Sequence, residues 1–409
     1  MNKHPTAMAY LVSRYPAISH TFILREVQRL RALGHTIFTA SINEPDRALD
    51  AMEAYERQEA NHTFFVKAQG ALGALTALLY WCGRAPGSLL RTLRLGLGLG
   101  KNGSWLYGLA YVAEAALVAR WMRQHDLKLL HVHFGNASAT VGVLVKRLTQ
   151  CHLSYTIHGP DEFDDVFGQH LSLKMSEADQ VLCISQFAKG QLMRISDPKD
   201  WSKLQVCRLG IDPVQFACTV RPMNQSRVEL LYVGRLSSAK APVLLVQACA
   251  QLRDEGLDFA LTMVGDGPDR ARIVQTIAHL KLEPGIHLTG SLNQEAVRAH
   301  FARADVFVLP SLAEGIPVVL MEAMSSGVPC VSTPVNGIPE LIEHGRTGLL
   351  ATPGDVPSLT AQLRRLIQEP ELRRSLAEAA HAKVLADFDL GVNVPKLSRI
   401  FSEFEATAS

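Results

Sequence analysis

The sequence contains 409 residues, more than one ordinary domain core accommodates, and this length predicts two or three domains. Hydrophobic residues make up 47% and charged residues 20%, proportions typical of a globular protein with a large core, which excludes a disordered or fibrous chain. The formal net charge is only +2, so the overall electrostatics do not favour a nucleic-acid partner.

The cysteines and the apolar segments indicate a cytoplasmic protein. No cysteine belongs to a Cys-x-x-Cys pair, so we expect reduced thiols and no zinc site. The first residues, Met1 to Pro5, lack the apolar region of a signal peptide. The longest apolar stretch, Gly70 to Cys82, is shorter than the about 20 residues that cross a bilayer. The cysteines are Cys82, Cys151, Cys183, Cys207, Cys218, Cys249 and Cys330.

The first half of the chain alternates predicted strands with predicted helices. Buried strands are expected at 8–13 and 36–42, and apolar periodicity between them predicts a helix at 21–30. The pattern continues with strands at 128–134, 152–157 and 180–184 and a helix at 137–149. Such alternation indicates a parallel sheet with crossover helices.

The segment from Ala60 to Ala113 contains no aspartate or glutamate and is rich in Leu, Trp and Tyr. One interpretation is a set of helices that covers the N-terminal sheet. The other is a basic, apolar face that makes peripheral contact with an anionic membrane surface, at the cytoplasmic side of the inner membrane. The cations of the segment are Lys67, Arg84, Arg91, Arg94 and Lys101.

A second series of strands and helices begins near residue 210. We therefore predict an α/β protein with two Rossmann-like, doubly wound domains that face each other across a cleft. Ligands of such sheets bind beyond the carboxyl ends of the strands, which makes the cleft the expected site. The second series comprises strands at 229–233, 259–264, 286–289, 305–309 and 328–332 and helices at 242–254, 269–279, 293–302 and 317–326.

The first candidate motif runs from Gly234 to Lys240, directly after a predicted strand. Gly234 allows the chain to turn, and Pro242 suits the first position of the next helix. Arg235 and Lys240 lie five positions apart across this turn, so both cations could face one bound diphosphate. The alternative is a pair of solvated surface charges.

The second candidate motif, Glu314 to Glu322, also follows a predicted buried strand. Pro317 fits the first turn of a helix, which places the free N–H groups of the helix start beside Glu314 and Gly315 as a phosphate site. Glu322 lies in an otherwise apolar helix, where a buried carboxylate is costly unless it has a partner. The alternative for Glu322 is a place on the solvent face of that helix.

The spacing of the two glutamates restricts their chemistry. Eight residues of mostly helical chain span about 12 Å, whereas the paired carboxylates of glycoside hydrolases lie about 5–9.5 Å apart. The pair is therefore poorly placed to flank one glycosidic bond. We expect Glu314 and Glu322 to hold opposite ends of an elongated ligand, with its phosphates at the helix start between them.

Three histidines are candidates in the first half. His158 follows a predicted strand and either bonds a sugar hydroxyl, stabilises developing charge, or is a satisfied core histidine. His131 and His133 share one face of an earlier strand and could bind a metal, but no third ligand is evident, which favours a structural role. The Gly-Asp-Gly turn at 265–267 lacks the third glycine of a dinucleotide fingerprint, so we interpret it as a plain strand-to-helix turn.

In combination, residues 230–352 resemble the donor domain of family-4 retaining glycosyltransferases of the GT-B fold. The Gly-Arg…Lys, Gly-Asp-Gly and Glu-x7-Glu elements occur in the order that this family shows. The first half resembles bacterial exopolysaccharide enzymes of the colanic-acid type, weakly across 45–125, where acceptor recognition varies. Further segments that carry the resemblance are Tyr15–Glu26, His131–Gly135, His158–Asp161, Ala323–Pro329 and Asn336–Ile342.

The resemblance implies roles for particular residues. Arg235 and Lys240 would neutralise the donor diphosphate, and Glu322 would hold the ribose hydroxyls. Glu314 would hold the donor sugar and phosphate, and His158 would lie near the reacting centre. The segment His287–Leu292 would border the nucleotide base. The implied catalytic set is thus His158, Arg235, Lys240 and Glu314, and the implied donor-binding set is Gly234, Arg235, Lys240, Leu292, Glu314, Gly315, Ile316, Pro317, Val318 and Glu322.

The resemblance also implies an acceptor-side domain at 1–209, a donor domain at 210–385 and a last helix, about 386–409, that packs back on the first domain. The first loop departs from relatives that carry glycines near the diphosphate, and Arg14 in this loop is a candidate contact. Asp161 is a second acceptor-side candidate. Ala241 stands where glycine often follows the lysine, which we expect to be tolerated if the local backbone is helical.

These features predict the transfer of a sugar from a UDP- or GDP-sugar to a hydroxyl of a glycan, lipid-linked or small-molecule acceptor. The family resemblance implies retention at the anomeric carbon, with front-side attack and the departing phosphate taking the acceptor proton. The two cations and the helix start make a metal unnecessary, and no cofactor is expected. The alternatives are an epimerase or hydrolase that consumes donor without acceptor, and a non-catalytic protein that binds sugar nucleotides.

Overall fold

The structure is a computed structural model that describes residues 7–216 and 227–408. The chain divides into two compact units, the first formed by Met1–Cys207 with Val394–Ser409 and the second by Arg208–Asn393. The division thus falls at 207/208 and 393/394, where the family resemblance implies 209/210 and 385/386. The start of the chain, Met1 to Pro5, and Cys218 lie outside the described residues.

The first unit is built on a seven-stranded parallel sheet with the strand order β3-β2-β1-β4-β5-β6-β7. The order reverses between β1 and β4, which confirms the predicted doubly wound topology. The strands are β1 (Ala7–Arg14), β2 (Thr36–Asn43), β3 (Phe64–Phe65), β4 (Leu129–His133), β5 (His152–Ile157), β6 (Gln180–Cys183) and β7 (Leu204–Val206).

Helices cover this sheet, and their ends follow local signals. Asn136 caps one helix by accepting a hydrogen bond from the backbone N–H of Ser138, and left-handed Gln150 ends it. The helices are α1 (Thr21–Ala32), α2 (Ala54–His62), α3 (Gly70–Arg84), α4 (Pro86–Gly98), α5 (Trp105–Gln124), α6 (Ala137–Thr149), α7 (Asp161–Asp164), α8 (Leu171–Glu177) and α9 (Gln186–Ile195).

Helices α3, α4 and α5 occupy the acid-free segment and pack their inner faces on the core of the first unit. The indole of Trp81 on α3 donates a hydrogen bond to the carbonyl of Ala116 on α5. Helices α4 and α5 cross at glycines, since a Cβ on Gly108 would lie 2.4 Å from the carbonyl oxygen of Gly96. The interpretation of this segment as core-covering helices is therefore confirmed for the inner faces.

The second unit has a six-stranded parallel sheet with the order β10-β9-β8-β11-β12-β13. Its strands are β8 (Val228–Val233), β9 (Phe259–Val264), β10 (Ile286–Gly290), β11 (Val306–Leu309), β12 (Cys330–Ser332) and β13 (Leu349–Leu350). Its helices are α10 (Pro242–Asp254), α11 (Arg270–His279), α12 (Gln294–Phe301), α13 (Val318–Ser325), α14 (Ile338–Leu341), α15 (Val356–Gln368) and α16 (Pro370–Asp387), and α17 (Leu390–Ala408) ends the chain.

The two parallel-sheet units confirm the predicted fold class, and the six described cysteines are free thiols, as expected. The strands β3, β7 and β13 were not predicted, because two or three residues carry no readable alternation. The condition on which alanine was expected to be tolerated at position 241 is not met. Ala241 has φ 49° and ψ 44°, so it is left-handed rather than helical, and this conformation brings the chain into α10.

Candidate active site

The candidate donor residues of the second unit lie at the carboxyl ends of strands. Arg235 and Lys240 follow β8, Glu314 follows β11, and Leu292 follows the edge strand β10. Strands β8 and β11 are parallel neighbours, so their loops meet at one edge of the sheet. The sequence motifs that were predicted to act together are therefore brought together in space.

The loop after β8 is held in place by its own backbone. The N–H of Gly234 donates to the carbonyl of Val264, and the N–H of Leu236 donates to the carbonyl of Asp266. A Cβ on Gly267 would lie 2.3 Å from the carbonyl oxygen of Leu236, so the Gly-Asp-Gly turn is a packing feature. With the loop fixed, the Arg235 side chain is exposed and available for a ligand.

Lys240 and Glu314 form an ion pair across the neighbouring loops. The Nζ of Lys240 lies 2.5 Å from Oε1 of Glu314, and the hydroxyl of Ser311 donates to the same oxygen at 2.6 Å. Glu314 is 4% exposed, so this pairing compensates a buried carboxylate. Within the described chain Oε2 of Glu314 accepts no hydrogen bond, which leaves one carboxylate oxygen for a ligand hydroxyl.

The start of α13 stands directly after this glutamate. Ile316 and Pro317 are buried, and Gly315 and Val318 are half-buried. A second loop braces the segment, because the hydroxyl of Thr333 donates to the carbonyl of Ser311 at 2.5 Å. The first N–H groups of a helix have no intrahelical acceptor, so α13 presents them beside Glu314 as the sequence predicts.

Glu322 lies inside α13 and is 8% exposed, which rules out the solvent-face alternative. Its neighbours along the helix, Met321 and Ala323, are fully buried. Leu292 is half-buried in the turn that leads to α12, whose first turn is capped by the side chain of Asn293. The roles of Glu322 and Leu292 in donor binding stay predictions.

In the first unit, the acceptor-side candidates stand at the carboxyl ends of β1 and β5. Arg14 is the last residue of β1 and is exposed, and its carbonyl lies 3.1 Å from Nδ1 of His20. Asp161 is exposed at the start of α7, which follows the β5 loop. Strands β1 and β5 flank β4, so these candidates lie along one edge of the sheet.

His158 is a buried histidine with a definite partner. It is 5% exposed, its ring packs against Phe134 and Phe22 with centroids 4.4 and 5.1 Å away, and its Nε2 lies 3.1 Å from Nδ1 of His133. Burial lowers the pKa of His158 well below its ordinary value, and the neighbouring His133 and His20 lower it further, so the ring is neutral at pH 7.

Two buried charges that sequence reasoning missed hold the loops after β4 and β5. The carboxylate of Glu162 accepts hydrogen bonds from the backbone N–H groups of Gly135, His158 and Gly159. The Nζ of Lys174 donates to the carbonyl of Gly135 at 2.8 Å. Glu162 lies among acidic neighbours in the sequence, and no local pattern distinguishes it from solvated charges.

The prediction that His131 and His133 lack a nearby third ligand was wrong. Glu26 on α1 lies beside them, and the potential ligand atoms of the three residues fall within 4.8 Å of one another. Glu26 is more than a hundred positions before the two histidines in the sequence, so the spacing of residues could not predict this contact. The packing of α1 brings Glu26 beside them. Both ring nitrogens of His131, however, lie 3.0 Å from hydroxyls, those of Ser154 and Thr156, as expected for a structural histidine.

Comparison with known proteins identifies the family. Residues 20–215 match the model described as Glycosyltransferase Family 4, and residues 220–383 match Glycosyl transferases group 1. N-acetyl-alpha-D-glucosaminyl L-malate synthase of Bacillus anthracis is 30% identical over 317 residues, which are 73% of this chain and 78% of that protein. This chain is a family-4 glycosyltransferase. The resemblance noted in the sequence is thereby confirmed.

Two further proteins match nearly the whole chain. The amylovoran biosynthesis glycosyltransferase AmsK of Erwinia amylovora is 29% identical over 407 residues, 96% of this chain and 98% of its own. The structure of HepE from Anabaena in complex with UDP and glucose has a TM-score of 0.73 at 19% identity and covers 98% of this chain and 100% of that chain. The match to HepE shows that the two proteins share the same fold.

Proposed function

We propose that this glycosyltransferase moves a sugar from a nucleotide diphosphate sugar to an acceptor hydroxyl in the synthesis of a surface polysaccharide. The observation that carries the proposal is the meeting of Lys240, Glu314 and the start of α13 at the carboxyl ends of β8 and β11. Relatives named for amylovoran and colanic acid biosynthesis support the class of product, and the complex of HepE with UDP supports a uridine nucleotide as donor.

In this proposal the donor lies along the edge formed by β10, β8 and β11. Leu292 borders the base, Glu322 binds the ribose hydroxyls, and Arg235, Lys240 and the N–H groups at the start of α13 bind the diphosphate. Glu314 accepts a hydrogen bond from a hydroxyl of the sugar through Oε2. Gly234 and the segment 315–318 let the backbone approach the diphosphate and the sugar of the donor.

The proposed reaction needs little covalent chemistry from the protein. The bond between the anomeric carbon and the phosphate oxygen breaks, and the acceptor oxygen forms the new bond on the same face. The acceptor proton passes to the departing phosphate oxygen, whose charge is stabilised by Arg235, Lys240 and the helix start. Product with an inverted linkage would contradict this part of the proposal.

A donor screen tests the proposed function. We expect a UDP- or GDP-sugar to raise the melting temperature of the protein, because a ligand that binds the folded state stabilises it. Transfer of radiolabelled sugar to a lipid-linked or glycan acceptor is then expected. This transfer is expected to continue when EDTA removes divalent metal ions. Consumption of donor at an equal rate without acceptor would favour the epimerase or hydrolase, and binding without turnover on any acceptor would favour a non-catalytic protein.

We also propose that the outer faces of α3, α4 and α5 bind an anionic membrane surface, where a lipid-linked acceptor would be found. The leucines at 72, 75 and 79 share one face of α3, and Leu72 is 75% exposed. Leu90, Arg91, Arg94 and Leu97 are exposed on α4. Trp105, Leu106 and Tyr107 are exposed at the start of α5. Apolar side chains among cations, with no acidic residue from 60 to 113, are typical of a membrane-facing surface.

Within the described ranges, no helix is both long and apolar enough to cross a membrane. Liposome flotation tests the peripheral contact. Replacement of Arg84, Arg91 and Arg94 by Glu is expected to release the protein from vesicles that contain phosphatidylglycerol, since each cation near such a surface contributes about 1 kcal/mol. The control changes three exposed cations of the same unit, Arg57, Arg123 and Lys128, to Glu. Equal release by both triple variants would indicate a general charge effect and contradict the proposed face.

A further inference from the structure

A line of buried polar side chains leads from α1 to His158. Oε1 of Glu26 accepts a hydrogen bond from the hydroxyl of Tyr10 at 2.8 Å and lies 3.3 Å from Nε2 of His133. Nδ1 of His133 lies 3.1 Å from Nε2 of His158. Glu26 is 8% exposed and His133 is fully buried, so water does not readily substitute for these contacts.

The order of partners along this line is restricted. Nε2 of His133 is buried and makes no hydrogen bond of regular geometry within the described chain, and Oε1 of Glu26 is the oxygen that stands beside it. His131 is not a link in the line, because both of its ring nitrogens face the hydroxyls of Ser154 and Thr156. Glu26 is therefore the carboxylate that lies beside Nε2 of His133.

The chemistry of imidazole then determines which nitrogen of His158 carries a proton. The carboxylate of Glu26, whose Oε1 lies 3.3 Å from Nε2 of His133, electrostatically favours the tautomer of His133 with the proton on Nε2, which leaves a lone pair on Nδ1. That lone pair accepts from the Nε2–H of His158. Neutral His158 is left with a lone pair on Nδ1, which makes no hydrogen bond within the described chain.

We propose that Glu26 and His133 are positioning residues that hold His158 as the Nε2–H tautomer, so that its Nδ1 accepts a hydrogen bond from a sugar hydroxyl. The proposal rests on the proposed function, since it takes His158 to contact a sugar. Carboxylates behind metal-bound and catalytic histidines act in the same physical way, by fixing the tautomer and the ring orientation. The ligand is thus a hydroxyl donor, and a carbonyl or phosphate oxygen at Nδ1 would be rejected.

Nitrogen-15 NMR of the histidine rings in the full-length protein tests the tautomer directly. The signals of His158 are assigned by their loss in the His158→Asn variant. We expect Nε2 of His158 to be protonated and Nδ1 to be unprotonated in the wild type. A wild-type protein with the proton on Nδ1 of His158 would overturn the proposal, and so would one equivalent of a metal ion bound through Glu26 and His133.

Two substitutions separate a positioning role from a structural one. Glu26→Leu removes the carboxylate, so His133 is expected to carry its proton on Nδ1, toward His158. The proton of His158 is then expected to move from Nε2 to Nδ1. We expect kcat to fall about 10-fold, with KM for the donor little changed. Glu26→Gln retains an oxygen at the same place and is expected to keep the wild-type tautomer and most of kcat. Equal loss in both variants, with the tautomer of His158 unchanged, would overturn the proposal.

A matched control measures the cost of removing any buried carboxylate. Glu59 is 5% exposed in the same unit, pairs with Arg31 and lies outside the line, so Glu59→Leu is expected to lower stability without changing the tautomer of His158. The NMR result does not depend on turnover. If the wild type transfers no sugar to any acceptor, the proposed function fails, and the tautomer measurement still decides whether Glu26 sets the state of His158.

Discussion

In the second unit the candidate residues stand on loops that follow neighbouring strands, whereas in the first unit the candidate histidine is tied into a buried network that reaches into α1. Arg235 is exposed, and Lys240 is compensated by the one carboxylate of Glu314. His158, by contrast, contacts His133, and the other ring nitrogen of His133 lies 3.3 Å from Glu26. In the proposed roles, the charges of the second unit serve a ligand, while Glu26 in the first unit serves to position one ring.

The largest effect is expected from Lys240→Ala, which tests whether the second unit keeps its charges for a ligand. Loss of a cation that stabilises the departing phosphate is expected to lower kcat about 100- to 1,000-fold, measured by steady-state sugar transfer. The control is Lys383→Ala, since Lys383 pairs with Glu343 and Asp387 in the same unit. If both variants lose activity in proportion to their melting temperatures, the ion pair with Glu314 is structural.

The second prediction sharpens the assignment of the two glutamates. Glu314→Gln is expected to lower kcat about 100-fold with little change in KM, because the charge of Glu314 organises Lys240 and the sugar. Glu322→Gln is expected to weaken donor binding about 10-fold and leave kcat nearly unchanged, because it loses a charged hydrogen bond to the ribose. The reverse pattern would mean that the donor lies in the opposite direction along the edge.

The third prediction concerns a buried charge of the first unit. Burial raises the pKa of Glu114 from 4.5 to about 7, because the folded state favours the neutral carboxyl. Below pH 4.5 the carboxyl is neutral in both the folded and the unfolded state, and its contribution to the stability of the protein is fully present. As the pH rises from 4.5 to about 7, the unfolded state loses the proton more readily, and this stability is lost. Glu114→Gln is neutral at every pH and is expected to raise the free energy of unfolding at pH 8 by up to about 3 kcal/mol, with little change at pH 4.5.

Urea unfolding of wild type and Glu114→Gln at both pH values measures this effect. Glu44 is exposed in the same unit, so Glu44→Gln is the control and is expected to show the same pH dependence as the wild type. If Glu114→Gln were no more stable than the wild type at pH 8, the charged form of Glu114 would not lower the free energy of unfolding. In the first unit, the buried polar groups that distinguish it from the second unit would then be only those of the line from Glu26 to His158.

The smallest effect is expected at Ala241, in the loop that carries Lys240. Its left-handed backbone is unfavourable for alanine by about 1 kcal/mol, so Ala241→Gly is expected to stabilise the protein by up to that amount. Ala382 is exposed inside α16, where glycine costs about 1 kcal/mol, so Ala382→Gly is the control with the opposite sign. Destabilisation by both changes, measured by thermal unfolding, would show that Ala241 is not strained.

The parts of the fold that were predictable carry strong local signals. The helix at 242–254 was predicted to the residue, and Pro242 marks its start; the helix at 137–149 was also predicted to the residue, and the structure shows that Asn136 caps it. The two-residue strands β3 and β13 were missed because they exist only through their neighbours' hydrogen bonds. The left-handed backbone of Ala241 could not be read from the sequence, because alanine ordinarily avoids this conformation.

The motifs of the second unit could be read from the sequence because each is a short segment between a strand and a helix. The sequence by itself determined that Lys240 and Glu314 each stand in a loop after a predicted strand and that Glu322 lies in an apolar helix. Only the tertiary structure placed Glu26 beside His133 and paired Lys240 with Glu314. These contacts join residues that lie 107 and 74 positions apart, and the parallel crossovers that bring them together act through the packing of whole strands and helices.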